Sequence, residues 1–138
     1  MGTDHNRHIL VVDDDPQVLK LFVLILTRAE YLVAAANSGQ VALQILDQQL
    51  VDLVILDLSM PQPDGFEILK AVRIQRPDIK ILVISGYVTG DLLKASELFG
   101  ATASLSKIDA PKQLLKAVNG LLGPTGFLNR YRASNHDG

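Results

Sequence analysis

The sequence predicts a doubly wound α/β domain, with a five-stranded parallel sheet in the order 2-1-3-4-5 and helices on both faces. Two observations favour this fold class. Apolar runs typical of strands alternate five times with segments of helical periodicity. Strict alternation of strand and helix favours parallel strands, because each crossover helix must pack on one face of the sheet. The length of 138 residues suits one domain.

The strands are predicted from apolar runs rich in Ile, Leu and Val, a composition typical of strands that are buried on both faces. Three runs are strong and two are weaker. The strong runs are His8 to Val12, Asp52 to Leu56 and Ile79 to Ile84, and the weaker ones are Tyr31 to Ala36 and Ala101 to Leu105.

Capping residues predict where the first two helices begin. Asp15 is a good N-cap with Pro16 at the first helical position, so a helix is expected from there to about Ala29. The second helix is expected to open at Ser38. The other three are predicted over Phe66 to Ile74, over Thr89 to Phe99 with Gly100 as the C-cap, and over Pro111 to Leu122.

Composition limits the possible function classes. There are no cysteines, which excludes disulfides and thiolate metal sites. The longest apolar run, Leu21 to Leu26, is far shorter than the ~20 residues of a membrane-spanning helix, and the polar N-terminus lacks the apolar region of a signal peptide. The formal charge is −2 without a basic run. We therefore expect a soluble cytoplasmic protein whose domain contacts neither membrane nor nucleic acid.

Acidic residues follow two of the predicted strands. Asp13 and Asp14 come directly after the first strand, and Asp57 comes directly after the third. In a doubly wound sheet these strand ends lie side by side at the point where the winding reverses. Like charges this close are destabilising unless a cation neutralises them, and Mg2+, with Mn2+ as an alternative, prefers such oxygen ligands.

Two further residues are predicted to share this edge of the sheet. Ser85 ends the fourth strand and Lys107 follows the fifth. A hydroxyl and an ammonium group beside an acidic metal site would hold a phosphoryl group. The combination therefore predicts a phosphoryl-transfer site.

From about Arg7 to Leu122 the sequence resembles the CheY-like receiver domains of two-component response regulators, which have a flavodoxin-like (β/α)5 fold. The shared motifs lie at the predicted strand ends. They are Ile9 to Pro16, Asp52 to Pro61, Asp64 with Gly65, Ser85 with Gly86, and Lys107.

The resemblance implies a role for each site residue. Asp57 would be the phosphoacceptor, and Lys107 and Ser85 would contact the phosphoryl group. The metal would be held by Asp57 and Asp14 directly, by Asp13 through water and by the backbone carbonyl of Ser59.

The resemblance also implies a phosphorylation-dependent switch and no enzyme activity beyond self-catalysed phosphorylation and dephosphorylation. The phosphoryl donor would be a sensor histidine kinase or a histidine phosphotransfer protein. The downstream protein or effector domain is not identified by the sequence.

Residues 123–138 have little apolar content, and we interpret them as a flexible tail or the start of a linker after the receiver domain, residues 7–122.

Two positions depart from the usual pattern of the family. Lys107 is followed by Ile108 where proline is usual, and Ser104 replaces a common Tyr or Phe. Tyr87, two residues after Ser85, could substitute for that aromatic side chain or pack on the rim of the site. These departures leave open a degenerate receiver that binds partners without phosphorylation.

A haloacid-dehalogenase-type phosphatase is a third reading. In that scheme Asp13 would be the nucleophile and Asp15 the acid, with Ser85 and Lys107 downstream. The chain has only Asp109 where paired acids are expected after the lysine, and this reading leaves Asp57 without a role. The receiver resemblance explains more of the residues.

Overall fold

The structure, a computed structural model, describes residues 7–60, 65–86 and 90–123, with only the backbone for residues 90–93. Strands and helices alternate along the described chain, which confirms the predicted order. The strands are β1 (His8–Val12), β2 (Leu32–Ala36), β3 (Leu53–Asp57), β4 (Lys80–Ser85) and β5 (Ala103–Ser106). The helices are α1 (Pro16–Arg28), α2 (Gly39–Gln48), α3 (Gly65–Gln75), α4 (Gly90–Leu98) and α5 (Ala110–Leu122).

The five strands form one parallel sheet in the order β2-β1-β3-β4-β5, as predicted. The register aligns their carboxyl ends. Val12 of β1 pairs with Leu56 of β3, and Asp57 pairs with Ile84 of β4. The residues that follow β1 and end β3 and β4 are thereby brought to one edge.

The core has two layers because successive strand residues point to opposite faces of the sheet. Leu10 and Val12 of β1 face one cluster, whose helical members come from α2 and α3. Ile9 and Val11 face the other cluster, which α1 and α5 complete. Every residue of β3 is buried. This arrangement is the doubly wound packing that the apolar strand runs predict.

The predicted helix caps are confirmed. Asp15 Oδ1 accepts hydrogen bonds from the backbone N–H groups of Gln17 at 2.9 Å and Val18 at 3.4 Å. Ser38 Oγ accepts one from the N–H of Val41 at 3.2 Å. Gly100, the predicted C-cap residue, has a φ of 115°, a conformation that glycine adopts without steric cost.

Two observations concern the ends of the chain and its relation to membranes. Among the described helices, none has both the length and the apolar character needed to cross a bilayer. The predicted tail lies, from residue 124 onward, outside the described residues. The domain limits of residues 7–122 therefore stay a prediction.

Gly65, the first residue of α3, lies against the backbone of Leu58, the residue after Asp57. A Cβ atom at Gly65 would lie 2.5 Å from Leu58 Cα and 2.6 Å from its carbonyl oxygen, closer than real Cβ contacts. Glycine at this position lets α3 pack directly against the segment that follows β3.

We expect Gly65→Ala to lower the free energy of unfolding by about 1–3 kcal/mol, because the methyl group would force the backbone of α3 and Leu58 apart. Gly120→Ala is the matched control, since a Cβ at this exposed position of α5 meets nothing within 4 Å. That variant should gain about 0.5–1 kcal/mol from helix propensity. Urea unfolding monitored by circular dichroism measures both, and equal effects would contradict the close-approach explanation.

Candidate functional site

Backbone hydrogen bonds beyond the strands fix the positions of the predicted site residues. The N–H of Asp13 donates to Ala36 O at 3.1 Å, which extends the pairing of β1 with β2. The N–H of Lys107 donates to Ser85 O at 2.9 Å, which extends the pairing of β4 with β5. Site residues are therefore held by the sheet itself, and their main chains have little freedom.

Asp57, the predicted phosphoacceptor, is 2% exposed and has a partner for each carboxylate oxygen. Its Oδ1 accepts a hydrogen bond from the N–H of Ser59 at 2.8 Å. Its Oδ2 accepts one from Lys107 Nζ at 3.0 Å. The carboxylate is thus fixed in orientation by two donors from different loops.

Asp13 is buried beside Asp57 and is less well satisfied. Its Oδ1 accepts a hydrogen bond from the N–H of Asp15 at 2.9 Å. Its Oδ2 lies 3.4 Å from Lys107 Nζ as an ion pair but accepts no hydrogen bond from the described part of the chain. Burial, and then the charge of Asp57, raises the pKa of Asp13 to about 6, although the hydrogen bond from Asp15 and the charge of Lys107 oppose the increase.

Lys107 forms ion pairs with both buried acids. Its side chain is 24% exposed, so the ammonium group is partly removed from water. Burial alone would lower the pKa of Lys107, but the hydrogen bond and charge of Asp57, together with Asp13, raise it. Lys107 therefore stays protonated at neutral pH and can donate hydrogen bonds to an anion.

Asp14 completes an acidic cluster with Asp13 and Asp57. One carboxylate oxygen from each residue lies within 4.8 Å of the others, and Asp14 is exposed while the other two are buried. Asp13 Oδ2 is buried and accepts no hydrogen bond from the described residues, and two further carboxylates lie beside it; this arrangement fits a hard cation with oxygen ligands. The residues present therefore fit the predicted metal site.

Ser85 ends β4 at the same edge, with 3% of its surface exposed. Its Oγ lies 3.0 Å from Ser59 Oγ, and the two hydroxyls form a hydrogen bond. The N–H of Gly86 donates to Ser59 Oγ at 3.4 Å. Sequence reasoning assigned only the backbone carbonyl of Ser59 and missed its hydroxyl, because a serine in a loop has no pattern that shows where its side chain points.

The two departures from the family pattern, Ile108 and Ser104, both lie in the described part of the chain. Ile108 is 85% exposed and lies beside Lys107 at the rim of a shallow cavity of about 400 Å³ that Asp15 and Ser59 also line. Ser104 lies within β5, partly exposed. Tyr87 falls outside the described residues, as does Asp64.

The residues of the phosphatase reading are placed differently from what that reading requires. Asp15, its acid, has its carboxylate at the N-terminus of α1, where Oδ1 caps the helix. Asp109 exchanges hydrogen bonds with Ser106, whose Oγ donates to Asp109 Oδ2 at 3.0 Å. The acids that form ion pairs with Lys107 are instead Asp13, directly after β1, and Asp57, at the end of β3.

The family model of the response regulator receiver domain matches residues 9–119. The chain belongs to this family. The receiver match spans the strands and helices that carry all the predicted site residues. It confirms the resemblance and places the protein in two-component signalling.

Individual relatives agree with this assignment. Sporulation initiation phosphotransferase F of Bacillus subtilis is 31% identical over 102 residues, which cover 74% of this chain and 82% of that protein. The chemotaxis protein CheY4 of Vibrio cholerae superposes with a TM-score of 0.79 at 30% identity, covering 85% of this chain and 99% of CheY4.

Other relatives are much longer than this chain. The transcriptional regulatory protein GlrR of Escherichia coli is 39% identical over 80 residues, 58% of this chain but only 18% of GlrR. The receiver domain therefore corresponds to a fraction of such regulators. The match to this fraction does not assign the activities of the whole regulators to this chain.

The raised pKa of Asp13 makes the stability of the metal-free receiver depend on pH. The folded protein keeps this proton up to about pH 6, whereas the unfolded chain releases it near the ordinary value of 3.8. The stability that protonation gives is therefore fully present below about pH 4 and lost as pH rises through 6. We expect the free energy of unfolding of wild type, relative to Asp13→Asn, to fall over this range and then level off.

Urea unfolding in EDTA between pH 4 and pH 8 measures this difference in the free energy of unfolding. Above about pH 7 the difference should no longer change with pH. Asp47→Asn, at an exposed position of α2, serves as the control and should track wild type throughout. A constant difference between wild type and Asp13→Asn across the range would show that burial does not hold the proton on Asp13.

Proposed function

We propose that this receiver is a phosphoacceptor switch that takes a phosphoryl group onto Asp57 with Mg2+ and signals through a change of conformation. The observation that carries the proposal is the pair of fixed contacts to the Asp57 carboxylate, from Ser59 N–H and Lys107 Nζ. These contacts hold a nucleophile in one orientation, at the edge where Asp13 and Asp14 supply further oxygen ligands.

The transfer step follows from these positions. A carboxylate oxygen of Asp57 attacks the phosphorus of a phosphohistidine as the P–N bond breaks. The electron pair of that bond stays on the imidazole nitrogen, which takes up a proton, and Asp57 becomes an acyl phosphate. Lys107, 3.0 Å from Asp57 Oδ2, is placed to donate to a phosphoryl oxygen and to stabilise the charge that spreads over the oxygens.

Asp14, Asp57 and the Ser59 carbonyl would hold Mg2+ directly, and Asp13 would hold it through water. When bound, Mg2+ neutralises charge on the phosphoryl oxygens. The surplus of carboxylates supports this assignment: in the described residues, Lys107 is the only cation paired with Asp13 or Asp57. Mn2+ is expected to substitute, since it also binds oxygen ligands.

Ser85 connects phosphorylation to a change of shape. Its hydroxyl lies at the same sheet edge as Asp57, and a new phosphoryl group offers it a strong acceptor. Movement of Ser85 toward that acceptor would shift the start of the segment after β4 and, through it, the surface around α4. A new hydrogen-bond partner for the Ser85 hydroxyl would thus convert the added charge on Asp57 into a change in the surface around α4.

The donor is expected to be a sensor histidine kinase or a histidine phosphotransfer protein. The receiver match supports this class of partner, and the name of the related phosphotransferase F is consistent with it. The binding-module reading retains one supporting observation, the 85% exposure of Ile108 where the family usually has proline. Phosphorylation decides between the two readings.

We expect incubation with acetyl phosphate and Mg2+ to add one phosphoryl group to the protein, as seen by intact-mass spectrometry. Asp57→Asn should remove the added mass. Asp15→Asn is the matched control, because this neighbouring acid caps α1 and should leave the reaction intact. Asp14→Ala should require a roughly tenfold or higher Mg2+ concentration, since it removes one of the charged ligands.

Three results would contradict the proposal in different ways. A mass increase that persists in Asp57→Asn would show that another residue accepts the phosphoryl group. No increase in mass with any phosphoryl donor would favour the alternative that the protein is a binding module that works without phosphorylation. Continuous hydrolysis of phosphate monoesters that Asp13→Asn abolishes would favour the phosphatase reading.

A further inference from the structure

Four residues at the carboxyl ends of β3, β4 and β5 form a closed ring of contacts. The N–H of Ser59 donates to Asp57 Oδ1 at 2.8 Å, and the Ser59 and Ser85 hydroxyls lie 3.0 Å apart. The N–H of Lys107 donates to Ser85 O at 2.9 Å, and Lys107 Nζ returns to Asp57 Oδ2 at 3.0 Å. The only link in this ring that joins two neutral side chains is the one between the serine hydroxyls.

The direction of that link follows from burial. Ser85 is 3% exposed, so its hydroxyl hydrogen needs an acceptor within the protein. Ser59 Oγ is its hydrogen-bond partner in the described part of the chain. Ser59 is only partly buried, so its own hydroxyl hydrogen can reach water. Burial thus favours Ser85 as the donor and Ser59 as the acceptor.

We propose that the Ser59 hydroxyl is a positioning group that competes with the phosphoryl group for Ser85. This inference rests on the proposed function. A serine hydroxyl has one hydrogen to donate. Ser85 must break its bond to Ser59 before it can donate to a phosphoryl oxygen on Asp57. The Ser59 side chain thus stabilises the unphosphorylated conformation and sets how readily the switch responds.

The same hydroxyl also holds the main chain after β4. Ser59 Oγ accepts the N–H of Gly86 at 3.4 Å in addition to the hydroxyl of Ser85. Ser59 is therefore placed to couple the loop after β3 to the segment that leads toward α4.

The test uses beryllofluoride with saturating Mg2+, since this anion is a stable analogue of a phosphoryl group on a carboxylate. We expect Ser59→Ala to bind beryllofluoride about twofold to tenfold more tightly than wild type, because one competing hydrogen bond is lost. Ser59→Thr keeps a hydroxyl and should return the affinity to near the wild-type value. Titration followed by amide NMR shifts measures the dissociation constants.

A double-mutant cycle separates competition from a general structural effect. In the background of Ser85→Ala there is no hydroxyl to compete for, so adding Ser59→Ala should leave the affinity unchanged. Unchanged or weaker binding by Ser59→Ala alone would overturn the inference. Tightening that persists without the Ser85 hydroxyl would also overturn it.

Failure of the proposed function gives a different result. In that case wild type would not bind beryllofluoride, or binding would survive Asp57→Asn, and the inference would fall with the function. Normal Asp57-dependent binding with no effect of Ser59→Ala would overturn the inference alone.

Discussion

Two buried carboxylates, Asp13 and Asp57, share a single ammonium group, that of Lys107, at one edge of the sheet. Bringing these acids together costs free energy, which the fold must supply. It does so through the parallel register, since the main chains of Asp13 and Lys107 are held by hydrogen bonds that continue the strand pairing. One ammonium group does not fully compensate two carboxylates, and the effect is seen at Asp13. Its pKa is raised, and its Oδ2 has no hydrogen bond from the described residues.

If the proposed function is right, this charge arrangement lets one domain act both as a phosphoryl acceptor and as a switch. An additional cation would relieve the surplus of carboxylates, and a phosphoryl group on Asp57 would then place new acceptors among donors that are already in position. Lys107 contacts Asp57 through its side chain and Ser85 through its backbone. A change at Asp57 would therefore reach β4 and β5 directly, through the two contacts of Lys107.

The sequence predicts the strand order, the caps at Asp15 and Ser38, and the sheet edge that carries the site. These features depend on local patterns: apolar runs, capping residues and the rule that parallel strands end at one edge. The limit of β3 was predicted one residue short, because Asp57 lies within the strand, whereas Ser85 ends β4 as predicted. Both residues take part in the strand pairing, so they are held more rigidly than residues in loops.

Other features depend on contacts between distant segments and have no signal in a single sequence. Gly65 was predicted only as part of a motif, whereas the structure shows that a side chain there would meet the backbone of Leu58. The hydroxyl contact between Ser59 and Ser85 joins residues 26 positions apart. Such contacts follow from how β3 and β4 pair, which fixes the distance between their loops only once the sheet has formed.

In the proposed function, Asp57 rather than another acid of the cluster accepts the phosphoryl group. Borohydride reduction of the phosphorylated protein tests it directly, because it converts an aspartyl phosphate to homoserine at the modified position. Peptide mapping should place homoserine at residue 57 and leave Asp13 and Asp14 unchanged. Homoserine at residue 13, or a phosphorylated protein without any homoserine, would contradict the account.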